Sequence, residues 1–134
     1  MIKTILLFFL AACFFTCKRS AIKNKLSESD SLVITFNVPN SDAVTRTVSA
    51  VEKNAIRKVI GFVNGRETEK LKCGHDGNLI FYKDGKEILP VVFKYREKNC
   101  EHFLLEVDGK LIHTKMSGEA VDFLHSLELG KTWY

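Results

Sequence analysis

The sequence predicts an α+β domain: an antiparallel sheet of about six strands in the order ββ-α-ββββ-α, with two helices packed on it. Three observations carry this reading. Two Asp-Gly pairs, Asp84-Gly85 and Asp108-Gly109, each stand between runs of strand-forming residues, where both turn positions need positive φ and a tight hairpin supplies it. The apolar spacing changes from alternation to three- and four-residue steps in two places, from Glu52 and from Ser117. Composition is ordinary for a globular chain, 46% hydrophobic and 27% charged over 134 residues, and leaves one domain's worth of chain beyond the N-terminal segment.

The elements follow in order. SLVITFNV alternates strand formers, Pro39-Asn40-Ser41-Asp42 has turn composition, and AVTRTVSA is again β-branched, which makes a first hairpin. From Glu52, Ala55, Ile56, Val59, Ile60 and Val63 lie on one helical face, and Asn64-Gly65 is a stop signal. A charged connection, RETEKLK over 66–72, reads as a solvated loop. NLIFYK and KEILPVVFKYR flank the first Asp-Gly turn. Pro90 cannot donate to a ladder, so its strand is expected at an edge or bent at a bulge. CEHFLLEV and KLIHTKM flank the second turn. Ser117 reads as an N-cap with Glu119 in the first turn, and Ala120, Val121, Leu124 and Leu127 mark a short helix that stops near Gly130. Phe81, Phe93 and Phe103 fall on consecutive strands and are expected to stack in one core layer.

The first twenty residues, MIKTILLFFLAACFFTCKRS, belong to a different problem. One cation, Lys3, precedes an uncharged run over 5–16, and Lys18 and Arg19 end it. About a dozen residues rise only about 18 Å as a helix against a hydrocarbon core of about 30 Å, so an export signal fits better than a span. Leu10-Ala11-Ala12-Cys13 resembles the lipobox of bacterial lipoproteins. Phe14-Phe15-Thr16-Cys17 is similar to it more loosely, in the style of lipoproteins of Bacteroidota.

The resemblance implies a signal peptide over 1–16 and lipidation of Cys17, with Cys13 as the alternative, since cleavage at Cys13 would leave Phe14 and Phe15 on the mature terminus. Lys18-Arg19-Ser20-Ala21 then stands where surface-exported lipoproteins of that group carry acids, which implies the periplasm-facing side of the outer membrane. Several acyl chains on one cysteine hold firmly, whereas one alone is marginal. Residues 17–31, basic and then Ser/Glu/Asp-rich, read as a flexible tether reaching roughly 20 Å, with the domain at 32–134.

The formal charge of +4 is concentrated in this segment at Lys3, Lys18, Arg19, Lys23 and Lys25. In the rest of the chain the signs interleave, as at Glu52/Lys53, Glu67/Lys70, Asp84/Lys86 and Glu97/Lys98. A phosphate-binding stripe needs clustered cations, so nucleic acid is not an expected partner.

Two C-x-H pairs, Cys73/His75 and Cys100/His102, precede separate strands. An exported domain with two cysteines in its folded part is expected to join them, and closing that loop contributes roughly 3.5 kcal/mol in the chain-entropy model. The alternative is a zinc or copper site with those four residues as ligands. His113 and His125 read as solvated surface positions. G-x-S-x-G, H-E-x-x-H and a phosphate-cradling glycine loop are all absent from the sequence, and no catalytic residues are assigned. The terminal Trp133-Tyr134 suits a partner surface or a chain end folded back on the domain.

The expected function is a membrane-tethered periplasmic lipoprotein whose non-catalytic domain binds an envelope protein, of the size and address of inhibitors and immunity proteins. A metal-handling lipoprotein is the alternative, and an envelope enzyme of unassigned type the third reading.

Overall fold

The computed structural model describes residues 21–133. Residues 21–26 are helical (α1), followed by β1 (Ser31–Asn37), β2 (Val44–Ala50), α2 (Lys53–Val63), β3 (Gly77–Lys83), β4 (Lys86–Lys94), β5 (His102–Val107), β6 (Lys110–Lys115) and α3 (Gly118–Glu128). The predicted order of strands and of the two long helices holds, and α1 is added to it. The signal peptide and both lipobox cysteines, Cys13 and Cys17, lie outside the described residues.

All neighbouring strands are antiparallel, in the order β2-β1-β3-β4-β5-β6. Both Asp-Gly turns form as expected, with positive φ at Asp84, Gly85, Asp108 and Gly109. Helix α2 buries the five residues that its spacing picks out, Ala55, Ile56, Val59, Ile60 and Val63, and Glu52 caps it by accepting from the backbone N–H groups of Asn54 and Ala55. Helix α3 buries Ala120, Leu124 and Leu127, capped by Ser117. Both helices pack on the sheet face built by Leu32, Ile34 and Phe36 of β1, Leu79 and Phe81 of β3, Val91 and Phe93 of β4, and Phe103 and Leu105 of β5.

Two expectations need correction. The segment read as a tether is folded from residue 21, because Ile22 and Leu26 are apolar one helical turn apart and enter the core. The three phenylalanines are all buried, but only Phe93 and Phe103 are cross-strand partners; Phe81 pairs with Leu89 further along the sheet. Phe93 instead joins Phe36, edge-on at 5.6 Å, and Tyr95 at 5.8 Å. Pro90 lies in an interior strand and meets the second of its two expected alternatives, a bulge. Its missing N–H is tolerated because β5 pairs with β4 only over Val91 to Lys94, so β4 is locally unpaired on that side, and a bulge at Ile88 stands just before it.

Gly77, first residue of β3, is required by close approach. A Cβ there would sit 2.1 Å from the carbonyl oxygen of Thr35 and 2.5 Å from the Phe93 ring. Gly77→Ala is therefore expected to lower the unfolding free energy by about 1–3 kcal/mol, the usual cost of forcing atoms into a packed site, as read from urea denaturation.

Candidate functional site

The chain between α2 and β3 passes round one edge of the sheet. The carbonyl of Val63 accepts from the Thr114 hydroxyl, Arg66 O from Lys115 N, and the carbonyl of His113 from Thr68 N, so residues 66–68 cover the outer edge of β6. The chain then returns to β3 as a strap, fastened by a disulfide between Cys73 and Cys100, 27 residues apart with Cα atoms at 5.9 Å. The loop expected to be merely solvated therefore has a structural task.

This pairing corrects the alternative metal site. Two sulfurs joined to each other are not thiolate ligands. The two histidines also turn elsewhere: His75 Nε2 lies 3.4 Å from Asp42, and His102 Nδ1 is 2.7 Å from the carbonyl of Cys100. Since a carbonyl only accepts, that nitrogen carries the proton. Among the described residues, no three His, Cys, Asp or Glu side chains are grouped to hold a metal.

His113 is buried, not solvated, and stacks on the buried His102 with ring centroids 5.3 Å apart. Alternation puts both rings on the face opposite the core, where the strap passes over them. His125 is exposed as expected. Burial, His102 and Lys70 of the strap hold the His113 pKa below its ordinary 6.5. Its Nδ1 has no hydrogen-bond partner among the described residues. A folded-state pKa below the unfolded value means that the unfolded chain takes up the proton first, so stability drains away as pH falls through and below 6.5. His113→Phe is expected to flatten that part of the curve, measured as urea midpoint against pH.

A second buried cluster went unread in the sequence. Asp76, fully buried just before β3, accepts at Oδ2 from the backbone N–H groups of Tyr95 and Arg96, and at Oδ1 from Lys94 Nζ at 3.2 Å and Arg96 Nη1 at 3.4 Å. Arg96 also donates to the carbonyl of Asn37 and to Glu128, and Glu128 accepts from the Tyr95 hydroxyl. Desolvation pushes the Asp76 pKa up, but the hydrogen bonds from Arg96, Tyr95 and Lys94 outweigh it and hold the carboxyl below 3.8. Glu128 is held below 4.5 by Arg96 and Tyr95 against the same desolvation. The arrangement pins the ends of β1, β3, β4 and α3 together. With both Asp76 oxygens engaged by donors, it is built for holding rather than for proton transfer.

Among the described residues, no helix lies on the sheet's other face. Away from the strap it displays an aliphatic band. Val33, Ile80 and Pro90 are successive cross-strand partners on β1, β3 and β4, and Val92 faces Leu104 on β4 and β5, with Leu111 on β6 65% exposed. A row of Thr47, Thr35 and Asn78 borders it. On the helical side, Phe62, Phe123 and Trp133 form an aromatic run, each ring 5.3 Å from the next, with the Lys58 ammonium over Phe123. Phe123 and Trp133, with Lys58, border an open groove of about 360 Å³, so Trp133 folds back on the domain; Tyr134 lies outside the described residues.

The chain matches no family model, no curated protein and no solved structure in sequence or fold comparisons.

Proposed function

We propose that this protein is a lipid-anchored binding module of the cell envelope that engages a protein partner through the bare face of its sheet. The observation that carries the reading is the aliphatic band of half-buried Val33, Ile80, Val92 and Leu104 with the exposed Leu111, over which no helix lies among the described residues. An apolar patch with a polar border is the usual form of a partner surface. The disulfide and the charge cluster support it by fixing the sheet, so that little ordering entropy is spent on association.

The address rests on the lipobox resemblance at 10–17, with Cys17 the acceptor and Cys13 the alternative, facing the periplasm from the outer membrane. Labelling with radioactive palmitate is expected to survive Cys13→Ser and to vanish in Cys17→Ser; loss in neither would contradict a single lipidated cysteine. The binding reading is tested by co-purification from detergent-solubilised envelope. Ile80→Lys and Leu104→Lys are expected to lose a partner that Lys58→Ala, on the helical side, retains. Equal recovery by all three variants would contradict it.

A further inference from the structure

We infer that β2 is a docking edge for an extended segment of the partner, added as a seventh strand and carrying an acidic side chain opposite Arg46. The inference rests on the binding-module reading and goes beyond it in naming the segment's chemistry.

The fold treats its two sheet edges differently. The outer side of β6 is closed by residues 66–68 through backbone hydrogen bonds. Among the described residues the outer side of β2 has no such cover: β2 pairs with β1 alone, and Val44, Thr45, Arg46, Thr47 and Ser49 are exposed. An edge of this kind is a template for another strand unless charges, proline or bulges blunt it. Here β2 contains no proline, its one charge is Arg46, which an acidic partner residue would neutralise, and the one bulge, at Thr45, leaves Arg46 to Ala50 in regular pairing. The aliphatic side chains left in solvent also gather here. Val38, Val44 and Val51 flank the strand at its two ends, 43%, 58% and 77% exposed. Leu129, 64% exposed, precedes Gly130, against which the Arg46 guanidinium lies.

Arg46 selects the occupant. It is the single charge on the strand and makes no ion pair or hydrogen bond among the described residues. A second copy is disfavoured. Antiparallel self-pairing centred on Arg46 would set the two Arg46 side chains directly opposite each other with no acid on the strand to separate them, and like charges directly opposite are destabilising. A segment with Glu or Asp at that position would neutralise Arg46 while Val48 and the flanking valines cover its apolar neighbours.

The test uses the full-length chain in detergent micelles and two capped peptides of about nine residues. One alternates threonine and valine around a central glutamate between terminal serines, and the other has lysine at the centre. Backbone amide shifts and affinities are read by NMR titration. The glutamate peptide is expected to bind about fivefold tighter, to shift β2 amides and to leave β6 unmoved; Arg46→Glu is expected to reverse the preference, while Lys110→Glu, an equal charge change on β6 at the other sheet edge, leaves it unchanged. Equal affinity for both peptides, binding by neither, shifts confined to other strands, or a wild-type dimer in sedimentation that excludes the peptide would each overturn the inference. Loss of the peptide effect with co-purification through the sheet face intact would remove the edge alone.

Discussion

Asp76→Ala is expected to lower the unfolding free energy by about 3–5 kcal/mol, the usual result of removing one partner from a buried ion pair. Lys94, only 4% exposed, would keep its charge in the interior with Glu97 at 3.9 Å as its remaining acidic neighbour. The backbone N–H groups of Tyr95 and Arg96 would lose their acceptor together. Since small domains are stable by about 5–15 kcal/mol, this is a large fraction of the total. Asp76→Asn separates the parts: its amide oxygen still accepts from the backbone, so the remaining deficit reports the charge. The acid limb should respond as well. The folded-state carboxyl titrates below its ordinary 3.8, so its contribution is complete above that value and is lost as pH falls through the folded-state pKa. Glu128, held below 4.5, adds to the same limb. In Asp76→Asn the acid-induced fall in the urea midpoint is expected to be shallower than in the wild type.

Breaking the disulfide should have the second large effect. Cys73→Ser with Cys100→Ser is expected to cost roughly 3.5 kcal/mol, from the loop entropy returned to the unfolded chain by a 27-residue separation. The loss should also be uneven in space. Residues 66–72 are held to β6 by short backbone contacts and then by the disulfide, whereas β1 and β3 sit inside the sheet with the core beneath them. Amide exchange is expected to quicken first in the strap and over His102 and His113, and last in β1 and β3. Uniform quickening would show that the strap is not a separate unit.

Much of the fold was legible because its signals are local. Asp84-Gly85 and Asp108-Gly109 specify their turns through φ alone, and the spacing of Ala55, Ile56, Val59, Ile60 and Val63 specifies both a helix and its buried side. The disulfide followed from counting cysteines in a chain read as exported. What escaped depends on contacts between distant residues. Ile22 and Leu26 sit among lysines, so one helical turn of core looked like linker. His113 alternates like a surface residue, and it is buried only because a strap from residues 66–76 returns over the end of its face. Asp76 meets Lys94 and Arg96 across separations of 18 and 20 residues, and Arg96 in turn meets Glu128 across 32. A signal for this cluster existed: Lys94 ends the apolar run over 88–93 and Arg96 follows it, where a cation needs a nearby acid. The composition of the bare sheet face was not legible either, since Val33, Ile80, Val92 and Leu104 are aliphatic like the core residues they alternate with.

The most direct test of the binding account is photo-crosslinking in intact cells, with a photoreactive side chain placed at position 80 or 104 on the bare face, or at position 58 on the helical side. The account expects a discrete protein adduct, identified by mass spectrometry, from positions 80 and 104 and none from position 58. Adducts from position 58 alone, or the same adducts from all three positions, would contradict the assignment of the bare face as the binding surface.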